Sequence, residues 1–130
     1  MVGAGVPDQE SLIAIVDDDA SMLAAINALM RSLGFASQAF SSGKDFLDSP
    51  HLQQTACLIA DVNMPGMSGL ELHRHLVTAG RRIPTILITA YPNDHVCARA
   101  LAAGVIGYLS KPFAEDELLG RIRSALTRGS

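Results

Sequence analysis

Five polar residues stand at or just after the ends of apolar runs, where a folded chain could bring their side chains together. They are Asp17, Asp18, Asp61, Thr89 and Lys111. Carboxylates that lie close together repel one another and raise the pKa of at least one member unless they share a cation. Oxygen ligands without a neighbouring His or Cys favour Mg²⁺. A carboxylate in such a site could attack phosphorus, while a hydroxyl and an amine contact the phosphoryl group.

Asp61 follows a short apolar run that is bounded by turn signals, a pattern typical of a buried strand. Pro65, Gly66 and Gly69 then interrupt the backbone before a helical pattern begins near Leu70. This order places the acid at the carboxyl end of a strand, where open α/β sheets bind their ligands. Taken alone, Asp61 fits an ordinary loop residue that caps a turn equally well.

The elements that would position these residues are five apolar runs that alternate with amphipathic segments. The predicted strands are Ser11–Val16, Phe35–Phe40, Ala56–Ala60, Thr85–Thr89 and Val105–Ser110. The predicted helices are 20–33, a short one through Phe46 and Leu47, 70–78, 94–103 and 115–126. This alternation predicts an α/β fold with a parallel sheet. With right-handed crossovers we expect a flavodoxin-like, doubly wound five-stranded sheet of order 2-1-3-4-5 with five helices.

That strand order makes the first and third strands neighbours at the centre of the sheet. The carboxyl ends of parallel strands meet at one edge, so the five polar side chains are expected to converge there. Convergence of four other functional side chains on Asp61 makes the turn-cap interpretation of that acid much weaker.

The composition indicates one domain. The chain has 130 residues, of which 48% are hydrophobic and 18% charged, so it is long enough for one core and too short for two ordinary domains. We expect a flexible segment over 1–11, a folded domain over 12–126 and a tail over 127–130. A net charge of -3 with scattered Lys and Arg argues against direct nucleic-acid binding.

No apolar segment reaches the ~20 residues that cross a bilayer, and the first residues lack a signal-peptide pattern. We therefore expect a cytoplasmic protein without membrane contact. Cys57 and Cys97 lack zinc-site spacing and are expected to be buried, reduced thiols. Asp19 is expected to cap the first helix, and Val77 to face inward. The four histidines have no ligand spacing and are expected at the surface: His51, His73, His75 and His95.

Four motifs together resemble the receiver domain of two-component response regulators. They are Val16–Asp19, Asp61–Gly69, Ile88–Ala90 and Tyr108–Phe113. They occur in the family's order at the ends of four strands, and the resemblance extends from Leu12 to Leu126. Within the family, the loop after Asp61 and the Lys-Pro-Phe motif look most like those of the nitrogen-fixation regulators.

The resemblance implies a metal-assisted phosphorylation site. Asp61 would be the phosphoacceptor and would also hold the Mg²⁺. Asp18 would be a direct ligand of the metal, and Asp17 would reach it through water. Asn63 would supply its backbone carbonyl to the same ion. Thr89 and Lys111 would contact the phosphoryl group.

The resemblance also implies a conformational switch. Tyr108 would turn inward as Thr89 moves toward the phosphoryl group, which would reshape the face formed by the fourth helix, the fifth strand and the fifth helix. The peptide bond before Pro112 is usually cis in the family. Asn63 and Tyr91 occupy positions that affect the lifetime of the phosphoryl group, and the bulky Tyr91 is expected to shield it partly from water.

Two alternatives to a phosphorylated receiver remain open at the level of sequence. One is a phosphohydrolase with Asp61 as nucleophile, although such enzymes need an acid two residues later, where Asn63 stands. The other is a degenerate receiver that only binds partners. The expected partners of a receiver are a histidine kinase or phosphotransfer protein, and an output partner or an output domain removed from the chain. Phosphorylation could also produce a homodimer.

Overall fold

The five apolar runs form strands, and an amphipathic helix follows each. The computed structural model describes residues 12–128, so the predicted flexible segment 1–11 lies outside the described residues. The strands are β1 (Leu12–Val16), β2 (Ala36–Phe40), β3 (Thr55–Asp61), β4 (Thr85–Thr89) and β5 (Gly107–Ser110). The helices are α1 (Ala20–Ser32), α2 (Gly43–Leu47), α3 (Gly69–Thr78), α4 (Asp94–Ala102) and α5 (Glu115–Arg128), and a short 3-10 helix spans Leu52–Gln54.

The strands form one parallel sheet of order β2-β1-β3-β4-β5, which confirms the predicted topology. The central strands are covered on both faces, and all five residues of β4 are buried. β2 pairs only with β1 and is more exposed, as expected of an edge strand. Because every strand runs in the same direction, the carboxyl ends of β1, β3, β4 and β5 lie along one edge of the sheet.

Alternate residues of each central strand point to opposite faces of the sheet. One face packs against α1 and α5 and buries residues such as Ile26, Met30 and Leu118. The other face packs against α2, α3 and α4 and buries residues such as Phe46, Leu72 and Ala100. These two apolar layers cover both faces of the sheet, and the polar residues lie at its carboxyl edge.

Side-chain caps define where the site-forming loops pass into helices. Asp19 caps α1 as predicted, because its carboxylate accepts hydrogen bonds from the backbone N–H groups of Ser21 and Met22 at 2.9 and 3.2 Å. Ser68 and Glu71 form a reciprocal capping box at the start of α3, with distances of 2.9 and 3.1 Å. Both caps satisfy backbone donors that the first turn of a helix leaves unpaired.

Some boundaries differ from the predictions. Asp61 is the last residue of β3, not the first residue after it, because its ladder with β4 continues to the pair Asp61–Ile88. α5 continues to Arg128, two residues beyond its predicted end. The Thr127 hydroxyl donates to the Arg123 carbonyl at 2.9 Å within this last turn. Residues 129–130 lie outside the described residues.

Two side chains of α3 have exposures opposite to those predicted. His73 is buried, with 5% of its surface exposed, whereas Val77 is 56% exposed. The buried face of α3 therefore includes His73, contrary to the prediction. Val77 lines a groove between α3 and α4 and stays exposed there. His75 and His95 are exposed and His51 is half-buried.

Both cysteines were predicted to be buried, which is right for Cys57 and wrong for Cys97. Both cysteines are free, with Cys57 buried and Cys97 half-buried. Burial raises the pKa of the Cys57 thiol to about 12, so that thiol stays protonated in the core. Over residues 12–128, no helix combines the length and the apolar character needed to cross a bilayer.

Candidate functional site

Three acids meet at the carboxyl edge of the sheet. Asp17 follows β1 directly, Asp18 is the next residue, and Asp61 ends β3 beside them. Oxygen atoms of these carboxylates, one from each residue, all lie within 4.8 Å of one another. Asp17 and Asp61 are buried, whereas Asp18 is exposed. The predicted convergence of carboxylates is therefore present, with one member open to solvent.

Lys111 joins this cluster from the end of β5. Its Nζ donates to Asp61 Oδ2 at 3.0 Å and to Asp17 Oδ2 at 3.2 Å. The lysine side chain is 12% exposed, so both ion pairs are shielded from bulk water. Lys111 and Asp17 are 94 positions apart in the chain, and only the sheet topology brings them together. The Lys111–Pro112 peptide bond is cis, as expected from the resemblance.

Burial and the neighbouring charges shift the pKa values of Asp17 and Lys111. Burial raises the pKa of Asp17 most strongly, and the charge of Asp61 adds to this effect. The hydrogen bond from the Asp19 N–H and the contact with Lys111 lower that pKa, but the net shift is upward. For Lys111, burial lowers the pKa, and the contacts with Asp61 and Asp17 more than offset it, so the pKa rises.

Thr89 ends β4 and is completely buried. Its hydroxyl oxygen accepts a hydrogen bond from the Tyr91 N–H at 2.9 Å and another from Asn63 Nδ2 at 3.2 Å. Both contacts use the oxygen as acceptor, so the hydroxyl hydrogen remains able to donate to an anion. The backbone N–H of Asn63 also donates to Asp61 Oδ1 at 3.0 Å. Asn63 therefore contacts both the acid and the threonine.

Tyr108 and Tyr91 lie at the β4–α4 side of the site. Tyr108 is half-buried on β5, and its hydroxyl accepts a hydrogen bond from the Asn93 N–H at 3.2 Å. Asn93 is the cap of α4, so this bond connects Tyr108 to the start of that helix. Tyr91 is 76% exposed. Its backbone contacts Thr89, while its side chain lies largely in solvent.

Gly69 packs against the backbone of Asp61, a contact that the sequence did not predict. A Cβ atom at this position would lie 2.5 Å from the carbonyl oxygen of Asp61 and 3.0 Å from Leu87 Cδ2. The Gly69 N–H also donates to the Val62 carbonyl at 3.2 Å. The absence of a side chain thus lets α3 begin directly against the backbone of the acid. The glycine in the loop after Asp61 was the sequence signal for this contact.

The donor set fits a hard divalent cation. All three acids offer oxygen, and no His or Cys belongs to the cluster among the described residues. Such ligands suit Mg²⁺, which takes oxygen atoms in octahedral geometry and retains several waters. The open position of Asp18 leaves space for those waters. Burial and the charge of Asp61 both raise the pKa of Asp17, and a bound cation would offset these effects.

These features define a class of protein. Residues 13–123 match the family model of the response regulator receiver domain, and the chain belongs to that family. The order of the sheet and the acidic cluster are those that the sequence resemblance implied.

Named relatives agree with this assignment. Response regulator protein TmoT of Ectopseudomonas mendocina is 45% identical over 119 residues, covering 92% of this chain and 54% of that protein. Transcriptional regulatory protein FixJ of Bradyrhizobium diazoefficiens is 32% identical over 114 residues, covering 88% of this chain and 56% of that protein. The crystal structure of FixJ-N has a TM-score of 0.82 at 30% identity, covering 90% of this chain and 94% of that chain. The chain spans about half the length of the curated relatives it matches.

Proposed function

We propose that this domain receives a phosphoryl group from a phosphohistidine onto Asp61. A carboxylate oxygen of Asp61 forms a bond to phosphorus while the bond from phosphorus to the imidazole nitrogen breaks. The imidazole keeps that electron pair and takes up a proton. The product is an acyl phosphate on Asp61, and the donor is a histidine kinase or a phosphotransfer protein.

Lys111 and Thr89 would receive the transferred group. The Lys111 amine already contacts Asp61 Oδ2, so a small movement would bring its charge to a phosphoryl oxygen. Thr89 would donate its hydroxyl hydrogen to another oxygen of the group. Phosphoryl transfer needs mainly positioning and charge neutralisation, and these two side chains supply both.

Asp17, Asp18, Asp61 and the backbone carbonyl of Asn63 would hold Mg²⁺. When bound, the ion supplies positive charge that lowers repulsion between the acids and the incoming phosphoryl oxygens. Asp17 would act through a water molecule, and Asp18 through direct contact. The buried position of Asp17 beside Lys111 supports its role as an acid that orients water without leaving its ion pair.

Thr89 and Tyr108 would convert phosphorylation into a change of surface. Movement of Thr89 toward the phosphoryl group would break its contacts with Asn63 and Tyr91. Tyr108 would then leave its bond with the Asn93 N–H and turn inward. The face formed by α4, β5 and α5 would change shape and present a surface to an output partner, to an output domain outside this chain, or to a second copy of the domain.

We further propose that the domain acts in the cytoplasm and binds neither membrane nor nucleic acid directly. Its switching chemistry would be self-catalysed transfer to Asp61, followed by autodephosphorylation in which water attacks the acyl phosphate and releases inorganic phosphate and the Asp61 carboxylate. The receiver domain over 12–126 is the proposed functional unit of the chain.

The observation that carries this proposal is the contact of Lys111 with both Asp61 and Asp17 at 3.0 and 3.2 Å. Beryllofluoride, a stable mimic of the phosphoryl group, tests it. Titration in the presence of Mg²⁺ should raise the melting temperature and shift the amide signals of Thr89 and Tyr108, and chromatographic sizing would report any dimer. The same titration without Mg²⁺ should have no effect. A failure to bind the anion with Mg²⁺ would contradict the receiver chemistry and leave only the binding-module alternative.

A phosphohydrolase is distinguished by turnover. Incubation with an aryl phosphate and Mg²⁺ should release at most a small burst of product from the receiver. Sustained release of many equivalents that depends on Asp61 would establish the hydrolase instead. Asn63, whose amide contacts Thr89, offers no acid at the position where such an enzyme needs one.

A further inference from the structure

A groove separates α3 from α4 and continues toward the amino-terminal edge of the sheet, away from the acidic cluster. One part is a cavity of about 230 Å³, lined by Leu70, His73, Arg74, Val77, Arg99 and Ala103. The adjoining part is a cavity of about 630 Å³ that shares His73, Val77 and Ala103 with the first. Together they fall in the size range of small-molecule sites, roughly 300 to 1,000 Å³.

The groove concentrates positive charge. Four of the ten Lys and Arg residues line it, namely Arg74, Arg81, Arg82 and Arg99. No acidic residue lines either cavity, and within residues 12–128 none of these four side chains forms a salt bridge. Glu71 interacts electrostatically with Arg74 without forming a salt bridge, so the positive charge of the groove is only partly compensated, in a chain whose net charge is -3.

His73 adds a polar group to the lining of both cavities. It is 5% exposed, and its Nδ1 has no hydrogen-bond partner in the described part of the chain. Burial lowers the pKa of this imidazole, which favours the neutral ring. Buried polar atoms without a hydrogen-bond partner are rare in folded proteins, and a bound ligand is one explanation for such an atom.

The rest of the lining is apolar. Val77 is 56% exposed at the junction of the two cavities, and Ile83, Pro84 and Ile106 line the larger one. Arg74 and Arg99 belong to the smaller cavity, whereas Arg81 and Arg82 belong to the larger. Positive charge thus lies on both sides of an apolar middle.

We propose that this groove binds a small organic anion with an apolar body between two carboxylate or phosphate groups. One acidic group contacts Arg74 and Arg99, and the other contacts Arg81 and Arg82. The apolar body covers Val77, and the acidic group beside Arg74 and Arg99 accepts a hydrogen bond from the His73 Nδ1–H. Arginine suits this role because its planar guanidinium donates paired hydrogen bonds to carboxylate and phosphate oxygens. The binding does not require phosphorylation of Asp61, so it stands or falls independently of the proposed switch.

Amide NMR titration with heptanedioate, a dicarboxylate with an apolar chain, tests the site. Two further probes separate the contributions: 1,7-heptanediol keeps the apolar body without charge, and inorganic phosphate keeps charge without the body. We expect saturable shifts in α3, α4 and the α3–β4 loop with heptanedioate, and at least a tenfold weaker response to either control probe. Loss of the charged contacts in an Arg74→Gln/Arg99→Gln variant should raise the Kd at least about tenfold.

An Arg31→Gln/Arg123→Gln variant provides the matched control, since it removes the same charge from α1 and α5, outside both cavities. It should retain the wild-type Kd. Equal weakening in the two variants would show a general charge effect and overturn the site. An equally strong response to inorganic phosphate would indicate an adventitious ion only, and the absence of saturable shifts in the groove would also overturn it. Melting temperatures would establish that each variant remains folded.

Discussion

The side-chain amide of Asn63 donates a hydrogen bond to the hydroxyl of Thr89 at 3.2 Å, joining the loop after β3 to the end of β4. Asn63 lies two residues after the proposed phosphoacceptor Asp61, and Thr89 is the residue proposed to switch. Movement of Thr89 toward a phosphoryl group therefore costs the free energy that this hydrogen bond contributes to the unphosphorylated state. A hydrogen bond of this kind contributes roughly 0.5 to 1.5 kcal/mol.

A double-mutant cycle measures that bond. Asn63→Ala and Thr89→Val should each lower the free energy of unfolding, and the double variant should lose less than the sum by about 1 kcal/mol. Urea denaturation without Mg²⁺ provides the measurement. Thr85→Val, combined with Asn63→Ala, is the matched control. Thr85 is as buried as Thr89, but its hydroxyl donates to the Ile83 carbonyl at 2.9 Å. Strict additivity for Asn63 and Thr89 would show that the bond contributes nothing.

Gly69→Ala should be strongly destabilising. The added Cβ would lie 2.5 Å from the Asp61 carbonyl oxygen, so α3 or the acid must move. Overpacking of this kind costs about 1 to 3 kcal/mol, and displacement of Asp61 should also slow its phosphorylation. Both the unfolding free energy and the rate of labelling by acetyl phosphate should fall.

Gly120→Ala is the control for Gly69→Ala. Gly120 lies in α5, and within the described residues an added Cβ meets no atom closer than 4 Å. Replacement of an exposed helical glycine by alanine should stabilise the domain by up to about 1 kcal/mol. A similar response of the two variants would mean that the contact between Gly69 and Asp61 has no consequence.

Asp17→Asn should stabilise the metal-free domain, and the gain should increase with pH. Burial, reinforced by the charge of Asp61, raises the pKa of Asp17 above its ordinary value of 3.8. The folded state therefore binds this proton more tightly than the unfolded state, and its stabilising contribution is lost as pH rises through the raised pKa. The asparagine variant has no such loss.

Urea denaturation in EDTA, between pH 3.8 and neutrality, would follow this effect. The difference in unfolding free energy between Asp17→Asn and wild type should widen toward neutral pH and become smaller when Mg²⁺ is added. Asp116→Asn, at an exposed position of α5, controls for the change of net charge. A difference that narrows with increasing pH would contradict the raised pKa.

Tyr91→Ala should shorten the lifetime of the phosphoryl group. Tyr91 follows Thr89 by two residues, and its ring is 76% exposed, so rotation of this unconfined side chain can bring the ring over the phosphoryl group. Tyr91→Phe keeps the ring and should retain the wild-type lifetime. Decay of the acyl phosphate in Mg²⁺ buffer gives the comparison. An unchanged or longer lifetime in the alanine variant would contradict the shielding role.

The sequence predicted which distant residues lie together at this site, because the strand order determines which strand ends are neighbours. β4 was predicted with its observed limits, since Thr85–Thr89 is an apolar run buried on both faces. The approach of Lys111 to Asp17 follows from placing β1 and β5 in one parallel sheet, whatever the separation along the chain. The side chains at the ends of β1, β3 and β5 therefore lie together, as the strand order predicted.

Features that depend on side-chain packing were not predictable in the same way. Val77 was predicted to face inward, and His73 was predicted to lie at the surface because it has no ligand spacing. In the structure His73 is buried and Val77 is exposed in the groove between α3 and α4. The bond from Asn63 to Thr89 requires a particular side-chain conformation, which a sequence pattern does not specify. The role of Gly69 depends on how closely α3 approaches the backbone of Asp61.

Intact-mass analysis after incubation with phosphoramidate and Mg²⁺ tests the central claim most directly. We predict that the wild-type chain gains one phosphoryl group, that Asp61→Asn gains none, and that Lys111→Met is labelled at least about tenfold more slowly because a charge-assisted contact is lost. Removal of Mg²⁺ should also prevent labelling of the wild-type chain. Undiminished labelling of Asp61→Asn, or no labelling of the folded wild-type chain with Mg²⁺, would contradict the account.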